Sequence, residues 1–212
     1  MIVSNMTIDE IYREIDKNLS FIAGKIDNLK RKLLRLTIKS KKPESIFLFT
    51  KDKNNNEWFI YLNVTKKYIR ISKGVLYLDV NNKFNIIDIS STGNLTNFTS
   101  HFIERYNERF LHQEKLTKRE IFKLFILNNP AKIIKIDENA CVMTDGVGLG
   151  ELHRRVGYYY FNCKTFVNNN MLFENQDNYK NEGKKYMEEK LKKIIKSKAK
   201  LDEILYNNEK VI

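Results

Sequence analysis

The chain contains few cysteines and no long apolar run. Its 212 residues include only Cys141 and Cys163, too few for the disulfide framework of a small secreted domain. The first residues lack the basic and apolar segments of a secretory signal, and no apolar stretch approaches the roughly 20 residues that a membrane-spanning helix needs. We therefore expect a cytoplasmic protein with reduced thiols and no membrane partner.

Acidic residues are also scarce relative to basic ones. The chain has 26 acidic and 38 basic residues, for a formal net charge of +12. This excess favours a polyanionic partner, RNA or another nucleic acid first, although a lysine-rich surface can also serve solubility alone. Hydrophobic residues make up 42% of the chain, which is ample for a folded core.

The recognisable ligand spacing of a metal site is absent. The three histidines and two cysteines do not form a known pattern, so we expect neither a metal nor a cofactor. The glycine-rich stretch TDGVGLGE, residues 144–151, precedes a predicted strand, whereas a phosphate-binding loop would precede a helix. We expect it to form a hairpin or a β-bulge with glycines at positive φ.

Residues 1–40 carry the most regular pattern of the sequence. Apolar residues alternate at spacings of four and three: Ile8, Tyr12, Ile15, Leu19, Ile22, Ile26, Leu29, Leu33 and Leu36. This heptad pattern predicts a coiled-coil-like helix that starts at a capping box, Thr7 to Glu10. So narrow an apolar stripe calls for a partner helix, either in the same chain or in a second copy, as in a homo-oligomer.

The rest of the chain predicts an α+β fold. Residues 41–95 contain short aromatic and β-branched runs separated by turn-forming segments, including KG at residues 73–74, which predicts an antiparallel β-meander. Residues 96–173 begin with the turn-rich end of STGNLTNFTS. They continue with helices at about 100–112 and 117–128 and then with further strands, while residues 174–212 predict a charged C-terminal helix. The expected architecture is an antiparallel sheet with a helix pair, flanked by long terminal helices.

The stretch TSHFIERYNERF, residues 99–110, contains the strongest candidate site. If residues 99–112 form a helix, one face of that helix is polar. It carries His101, Arg105, Glu108, Arg109 and His112. The planar guanidinium groups suit an anion, and the positive end of the helix dipole disfavours a charged imidazole at His101. The alternative is an ordinary amphipathic helix whose charged face is solvated.

The order of elements around this stretch resembles that of a known superfamily. A strand, a helix that opens T-x-H-x-x-x-R-x-x-x-R, a second helix and several antiparallel strands are typical of small basic ribonuclease-like toxin domains of the barnase–EndoU–colicin–RelE superfamily. The matching residues are Thr99, His101, Arg105 and Arg109. The resemblance covers about residues 95–170, and CKTFV, residues 163–167, resembles the closing strand that carries a site residue.

The resemblance implies a metal-independent cleavage of RNA. His101 would act as base or acid, Arg105 and Arg109 would hold the phosphate, and Arg155 would supply a complementary group. The predicted catalytic residues are His101, Arg105, Arg109, Arg155 and Thr165. The predicted nucleic-acid-binding residues are Arg154, His153, Lys164 and His112.

The sequence thus leads to a hypothesis with alternatives. It predicts an endoribonuclease-like protein of a toxin, phage-defence or mobile-element type. The alternatives are a non-catalytic nucleic-acid-binding or phage accessory protein, and an oligomeric scaffold built on the N-terminal helix. The aromatic run YYYF, residues 158–161, either stacks on bases or packs in the core, and core packing is the more common role of aromatic residues in strands.

Overall fold

The N-terminal segment forms one long helix, α1 (Ile8–Ser40), in a computed structural model that describes residues 1–130, 132–135, 139–171 and 185. The Thr7 side chain accepts a hydrogen bond from the Glu10 amide, and the Glu10 carboxylate accepts one from the Thr7 amide, so the predicted capping box is confirmed. The helix ends at Lys41, which adopts the left-handed conformation.

In the described part of the chain, nine strands form a single sheet in the order β1-β2-β3-β4-β5-β9-β8-β7-β6. The strands are β1 (Glu44–Lys51), β2 (Glu57–Val64), β3 (Ile69–Leu78), β4 (Phe84–Ile89), β5 (Leu95–Phe98), β6 (Lys132–Lys135), β7 (Ala140–Met143), β8 (Gly146–Arg155) and β9 (Tyr158–Asn168). All neighbouring pairs are antiparallel except β5 and β9, which are parallel. The predicted α+β class is confirmed.

Three short helical segments connect β5 to β6. Helix α2 (Ser100–Tyr106) begins at Thr99, whose side chain accepts from the Phe102 amide, and runs directly into a π-helical segment (Asn107–Leu111). Helix α3 (Lys118–Asn128) begins at the second predicted capping box, which the structure also confirms. The helix pair that the sequence predicts is therefore present, with a π-helical end to its first member.

The sheet separates two hydrophobic cores. Helix α1 covers one face, and α2 and α3 cover the other. Strand β2 shows why its sequence, EWFIYLNV, is almost continuously apolar. Trp58 and Ile60 face α1 while Phe59 and Tyr61 face α2 and α3, and all four are buried.

The apolar stripe of α1 packs against this sheet. Its buried residues include Ile15, Ile22 and Ile26, and the cluster that contains them consists otherwise of side chains from the sheet. In the described part of the chain the partner of the stripe is therefore a sheet face, not the partner helix that the heptad pattern suggested. Leu36, the last residue of the predicted stripe, is 41% exposed.

Two expectations about the strands were wrong. The KG pair at residues 73–74 is not a turn, because Gly74 lies inside the single long strand β3, between Phe59 on β2 and Asp88 on β4. A Cβ at Gly74 would lie 1.8 Å from the carbonyl oxygen of Ile87, so the residue permits close packing of strands. The connection STGNLTNFTS contains strand β5, whose pairing with β9 joins segments 41–95 and 96–173 in one sheet.

The sheet curves strongly around α3. Lys132 on edge strand β6 forms an ion pair of 2.8 Å with Asp88 on β4, although these strands are five positions apart in the sheet order. Arg70 on β3 donates hydrogen bonds to the carbonyl oxygens of Ile126 and Asn129, at the end of α3. None of the helices in the described ranges is both long and apolar enough to cross a bilayer. The predicted C-terminal helix, 174–212, lies outside the described residues, apart from residue 185.

Candidate functional site

The short strand β5 determines where α2 lies. Strand β5 ends at Phe98, opposite Cys163, so residues 164–168 of β9 have no strand partner on that side among the described residues. The Thr99 amide donates to the carbonyl oxygen of Cys163 at 3.2 Å, and the Thr99 hydroxyl lies 3.1 Å from the carbonyl oxygen of Lys164. Helix α2 and the π-helical segment continue from this point and contact β9.

Helix α2 has the two faces that the sequence predicts. Phe102, Ile103 and Tyr106 are buried, while His101 is exposed and Arg105 half-exposed. Arg105 Nε donates a hydrogen bond to His101 Nε2 at 3.5 Å. Arg105 Nη1 also forms an ion pair with Glu108 at 2.6 Å. His101, Arg105 and Glu108 thus form a contiguous exposed cluster, which we call the α2 cluster.

Arg109 has a different environment from Arg105. Its Nη1 donates to the carbonyl oxygen of Phe166 on β9, and the Asn168 side chain donates to the carbonyl oxygen of Arg109 at 2.7 Å. Arg109 is half-buried, so its guanidinium completes the backbone pairing of an open strand edge. This contact fixes the π-helical segment against the sheet.

The π-helical segment, which carries Glu108 of the α2 cluster, follows helix α2 without interruption. Such segments are rare and occur frequently at functional sites. The segment ends at His112, which has a positive φ of 53° and an exposed side chain, and whose amide donates to the Asn107 carbonyl at 2.7 Å. His112 is therefore placed at the end of the segment, one turn beyond the α2 cluster.

A buried polar network lies beneath α2. The Tyr106 hydroxyl donates to Asp145 at 2.6 Å, Asn129 Nδ2 donates to the same carboxylate at 2.9 Å, and Asn128 Nδ2 lies 3.2 Å from the Tyr106 hydroxyl. Burial, together with the Asp145 hydrogen bond, raises the pKa of Tyr106. Sequence patterns did not identify this network, because its members come from three separate segments and the two asparagines indicated only a helix end.

Residues of β8 form a second polar group. Glu151, His153 and Arg155 share one face of the strand, as the alternation predicts. His153 Nε2 lies 3.8 Å from Glu151, and Lys164 pairs with Glu151 and holds the pKa of that carboxyl below its usual value. Arg155 Nε lies 3.4 Å from the Asp9 carboxylate on α1. This group therefore occupies the α1 side of the sheet.

The structure does not bring Arg155 to the α2 cluster. Arg155 is paired with Tyr158, whereas α2 begins beside Cys163, about 17 Å further along β9 at the usual rise per residue. The two groups also lie on opposite sides of the sheet. The structure therefore does not bring Arg155 or His153 together with His101, since α1 and α2 each cover a separate face of the sheet.

A β-bulge places Lys164 and Thr165 away from α2. Between Leu149 and Gly150 of β8 the register shifts, leaving Lys164 as an extra residue in β9. Lys164 reaches Glu151 on the α1 side, and alternation from the buried Phe166 turns Thr165 to that side as well. The bulge confirms one expectation for the glycine-rich stretch, but its glycines do not have positive φ. They leave space instead, because a Cβ at Gly148 would lie 2.4 Å from Cys163 Sγ.

Arg154 lies on the surface, whereas most of the YYYF run lies in the core. Arg154 is exposed at the β8–β9 hairpin, where it lines a shallow depression with Asn94 and Tyr159. Tyr158 stacks on Tyr12 of α1 at 3.9 Å between ring centroids. Tyr158, Tyr160 and Phe161 are buried. The run therefore serves mainly in packing, with Tyr159 as its exposed ring.

The two cysteines are buried on the α2–α3 side of the sheet. Burial raises the pKa of Cys141 to about 12 and that of Cys163 well above its usual value, so both thiols are protonated and poorly nucleophilic. Within the described ranges, no three His, Cys, Asp or Glu side chains are grouped closely enough to hold a metal ion.

The chain finds no match among protein families, curated proteins or solved structures. Its chemistry is therefore judged from the side chains alone. The α2 cluster combines an imidazole, a guanidinium and a carboxylate on an exposed surface. Such a set can bind a phosphate and move protons beside it.

Proposed function

We propose that this protein is a metal-independent endoribonuclease that acts on RNA phosphodiesters at the α2 cluster. The observation that carries the proposal is the direct contact of Arg105 with both His101 and Glu108 on an exposed helix face. Two groups able to transfer protons, with one cation between them that can bind phosphate, thus lie along about two turns of α2 and the π-helical segment. The net charge of +12 supports an RNA substrate.

The chemistry requires two proton transfers and stabilisation of charge. The 2′-hydroxyl of the RNA attacks the adjacent phosphorus, a base removes the hydroxyl proton, and an acid protonates the leaving 5′-oxygen. We assign these transfers to His101 and Glu108. Arg105 stabilises the charge that develops on the phosphorane oxygens. Arg109, bound to the Phe166 carbonyl, is a positioning residue.

The order of elements supports the same class of function. Strand β5, helices α2 and α3, and the antiparallel strands β6 to β9 follow one another along the chain. This is the order on which the resemblance to ribonuclease-like toxin domains rests. A toxin, a phage-defence protein or a mobile-element protein is the biological context that this resemblance suggests.

A second candidate function is RNA binding without cleavage. It is favoured by the engagement of Arg109 with Phe166 and of Arg155 with Asp9, which leaves Arg105 as the guanidinium of the α2 cluster. A single guanidinium suffices to hold a backbone phosphate, whereas catalysis also needs the proton transfers. The two candidate functions differ in whether the protein cleaves the RNA that it binds.

The decisive experiment measures cleavage of a mixed-sequence RNA in EDTA. We expect the wild-type protein to cleave it and His101→Ala to reduce the rate by about 10²- to 10⁴-fold, the usual loss for a general acid–base group. Glu108→Gln should reduce the rate by a similar factor. Arg105→Ala should reduce it by about 10²-fold through loss of charge stabilisation.

Controls separate catalysis from binding and folding. Lys123→Ala removes an exposed cation of α3 and should cleave RNA like the wild type. Added imidazole should restore part of the activity of His101→Ala, which a purely structural defect would not allow. If the wild-type protein binds RNA but never cleaves it, the non-catalytic function is the correct one.

A further inference from the structure

The second half of α1 has an unusual charge distribution. Residues 28–42 contain seven basic residues and no acidic residue: Lys30, Arg31, Lys32, Arg35, Lys39, Lys41 and Lys42. Three of them, Arg31, Arg35 and Lys39, are spaced by four residues and lie on one face of the helix. All seven are half-exposed or exposed. We call this surface the α1 basic face.

Within the described residues, no carboxylate forms an ion pair with any of the seven cations of the α1 basic face. Six Lys and Arg side chains elsewhere in these ranges do form ion pairs: Arg105 with Glu108, Lys118 with Glu104, Arg119 with Glu57, Lys132 with Asp88, Arg155 with Asp9, and Lys164 with Glu151. Like charges four residues apart destabilise a helix, so the fold itself gains little from this arrangement.

The helix dipole accounts for only part of the charge. Cations in the last turn of a helix interact favourably with its negative end, which suits Lys39 and Lys41. Arg35 lies one turn before Lys39 and Arg31 lies two turns before it, where the interaction with the helix dipole is weak. A bound polyanion would neutralise all of these charges together.

The packing of α1 decides which polyanion fits. A helix that binds an anionic membrane inserts its apolar face between lipids. In α1 that face is covered by the sheet, with Ile22, Ile26 and Leu33 almost completely buried. The surface that remains is a line of cations about 12 Å long from Arg31 to Lys39, given the helical rise per residue. Such a line matches the successive phosphates of a nucleic-acid strand.

We propose that the α1 basic face binds the phosphate backbone of RNA and forms a surface separate from the α2 cluster. The choice of RNA as the ligand rests on the proposed function. The location does not, because α1 and α2 cover opposite faces of the sheet. The α1 basic face holds the RNA without reading its bases, and the α2 cluster acts on a separate stretch of the strand.

The test measures binding of a fluorescent, mixed-sequence, single-stranded RNA of 20 nucleotides in EDTA. The full-length protein carries His101→Ala so that the probe stays intact. Adding Arg31→Gln and Arg35→Gln should weaken binding about tenfold at 150 mM salt, and the slope of log affinity against log salt should become shallower by about 1.4. Control substitutions Lys53→Gln and Lys83→Gln remove two exposed cations elsewhere and should leave both quantities nearly unchanged.

The outcomes separate this proposal from the proposed function. The role of the α1 basic face would be overturned if the Arg31→Gln/Arg35→Gln variant and the Lys53→Gln/Lys83→Gln control bound RNA with equal affinity and equal salt slope. This holds even if the protein cleaves RNA. Binding to phosphatidylserine vesicles in preference to RNA would overturn it as well. A further outcome is a protein that never cleaves RNA and yet binds it less tightly when Arg31 and Arg35 are replaced. That result would refute the catalytic function and support RNA binding by the α1 basic face. Equal urea midpoints for the variants show that folding is not the cause.

Discussion

Identical residues at regular spacing serve different purposes in the stretch TSHFIERYNERF. Arg105 and Arg109 occupy the same helix face, yet Arg105 contacts His101 and Glu108 at the surface while Arg109 binds the carbonyl of Phe166. The difference arises because β5 ends early and leaves the edge of β9 open beside Arg109. A side chain's neighbours, more than its position in a motif, thus define its role.

Paired substitutions of these two arginines test that difference. Arg109→Met should lower the free energy of unfolding by about 1–3 kcal/mol, because it leaves a backbone carbonyl without its partner. Arg105→Met should change it by less than about 0.5 kcal/mol, as is usual for an exposed position. Urea denaturation followed by circular dichroism measures both. Equal losses for the two variants would refute the anchoring role of Arg109.

The network beneath α2 carries a second prediction at the residue scale. Tyr106→Phe removes the hydroxyl that donates to Asp145, leaving a buried carboxylate with one fewer donor. We expect a loss of about 1–3 kcal/mol in the free energy of unfolding. Tyr159→Phe, at an exposed position of β9, serves as the matched control and should be nearly neutral. A neutral Tyr106→Phe would contradict the importance of the network.

At the scale of elements, the end of α3 depends on another strand. Helix α3 has no basic residue in its last turn. Arg70 of β3 takes that place, donating to two carbonyl oxygens at the helix end and lying 4.9 Å from the centroid of the Tyr61 ring. A cation at a helix C-terminus satisfies free carbonyls and interacts favourably with the dipole. Burial lowers the pKa of Arg70 from its usual value, and the guanidinium remains charged.

Replacement of this cation should loosen the contact between α3 and the sheet. Arg70→Met should destabilise the protein by about 2–4 kcal/mol, because the carbonyl oxygens of Ile126 and Asn129 lose their donor at once. Arg70→Lys should recover part of this loss. Arg13→Met, on the exposed side of α1, provides a control with an expected change below about 0.5 kcal/mol. Hydrogen exchange of the last turn of α3 should increase in Arg70→Met and stay unchanged in the control.

At the scale of the molecule, one sheet links all the described elements. It continues from the meander through β5 and β9 to the strands after α3, with helices on both faces. Most of the apolar stripe of α1 packs against this sheet and contributes to one of its two cores. Polar substitutions in the stripe are therefore expected to unfold the protein rather than to separate subunits.

A substitution in α1 should accordingly destabilise the whole protein. Ile22→Ala, at a fully buried position, should lower the free energy of unfolding by about 2–5 kcal/mol. Fluorescence of the single tryptophan, Trp58, and far-ultraviolet circular dichroism should report the same shifted urea midpoint. Ile38→Ala, at a position 75% exposed, should leave that midpoint nearly unchanged. A change in oligomeric state without loss of stability would favour the scaffold hypothesis instead.

The sequence by itself determined those features that depend on neighbours along the chain. The capping boxes at Thr7 and Thr117 set the starts of α1 and α3, and short aromatic and β-branched runs indicated most strands. The polar and apolar faces of α2 followed from helical periodicity. These predictions needed only the geometry of a single element.

Tertiary structure alone decided which elements meet. Strand β5 was hidden in a turn-rich segment, because one of its two pairing partners, β9, lies about 65 residues away in the sequence. That pairing opened the edge that Arg109 closes, and the bulge in β9 turned Lys164 away from His101. The partner of the α1 stripe and the separation of Arg155 from the α2 cluster likewise depend on which sheet face each helix covers, and no local pattern encodes that choice.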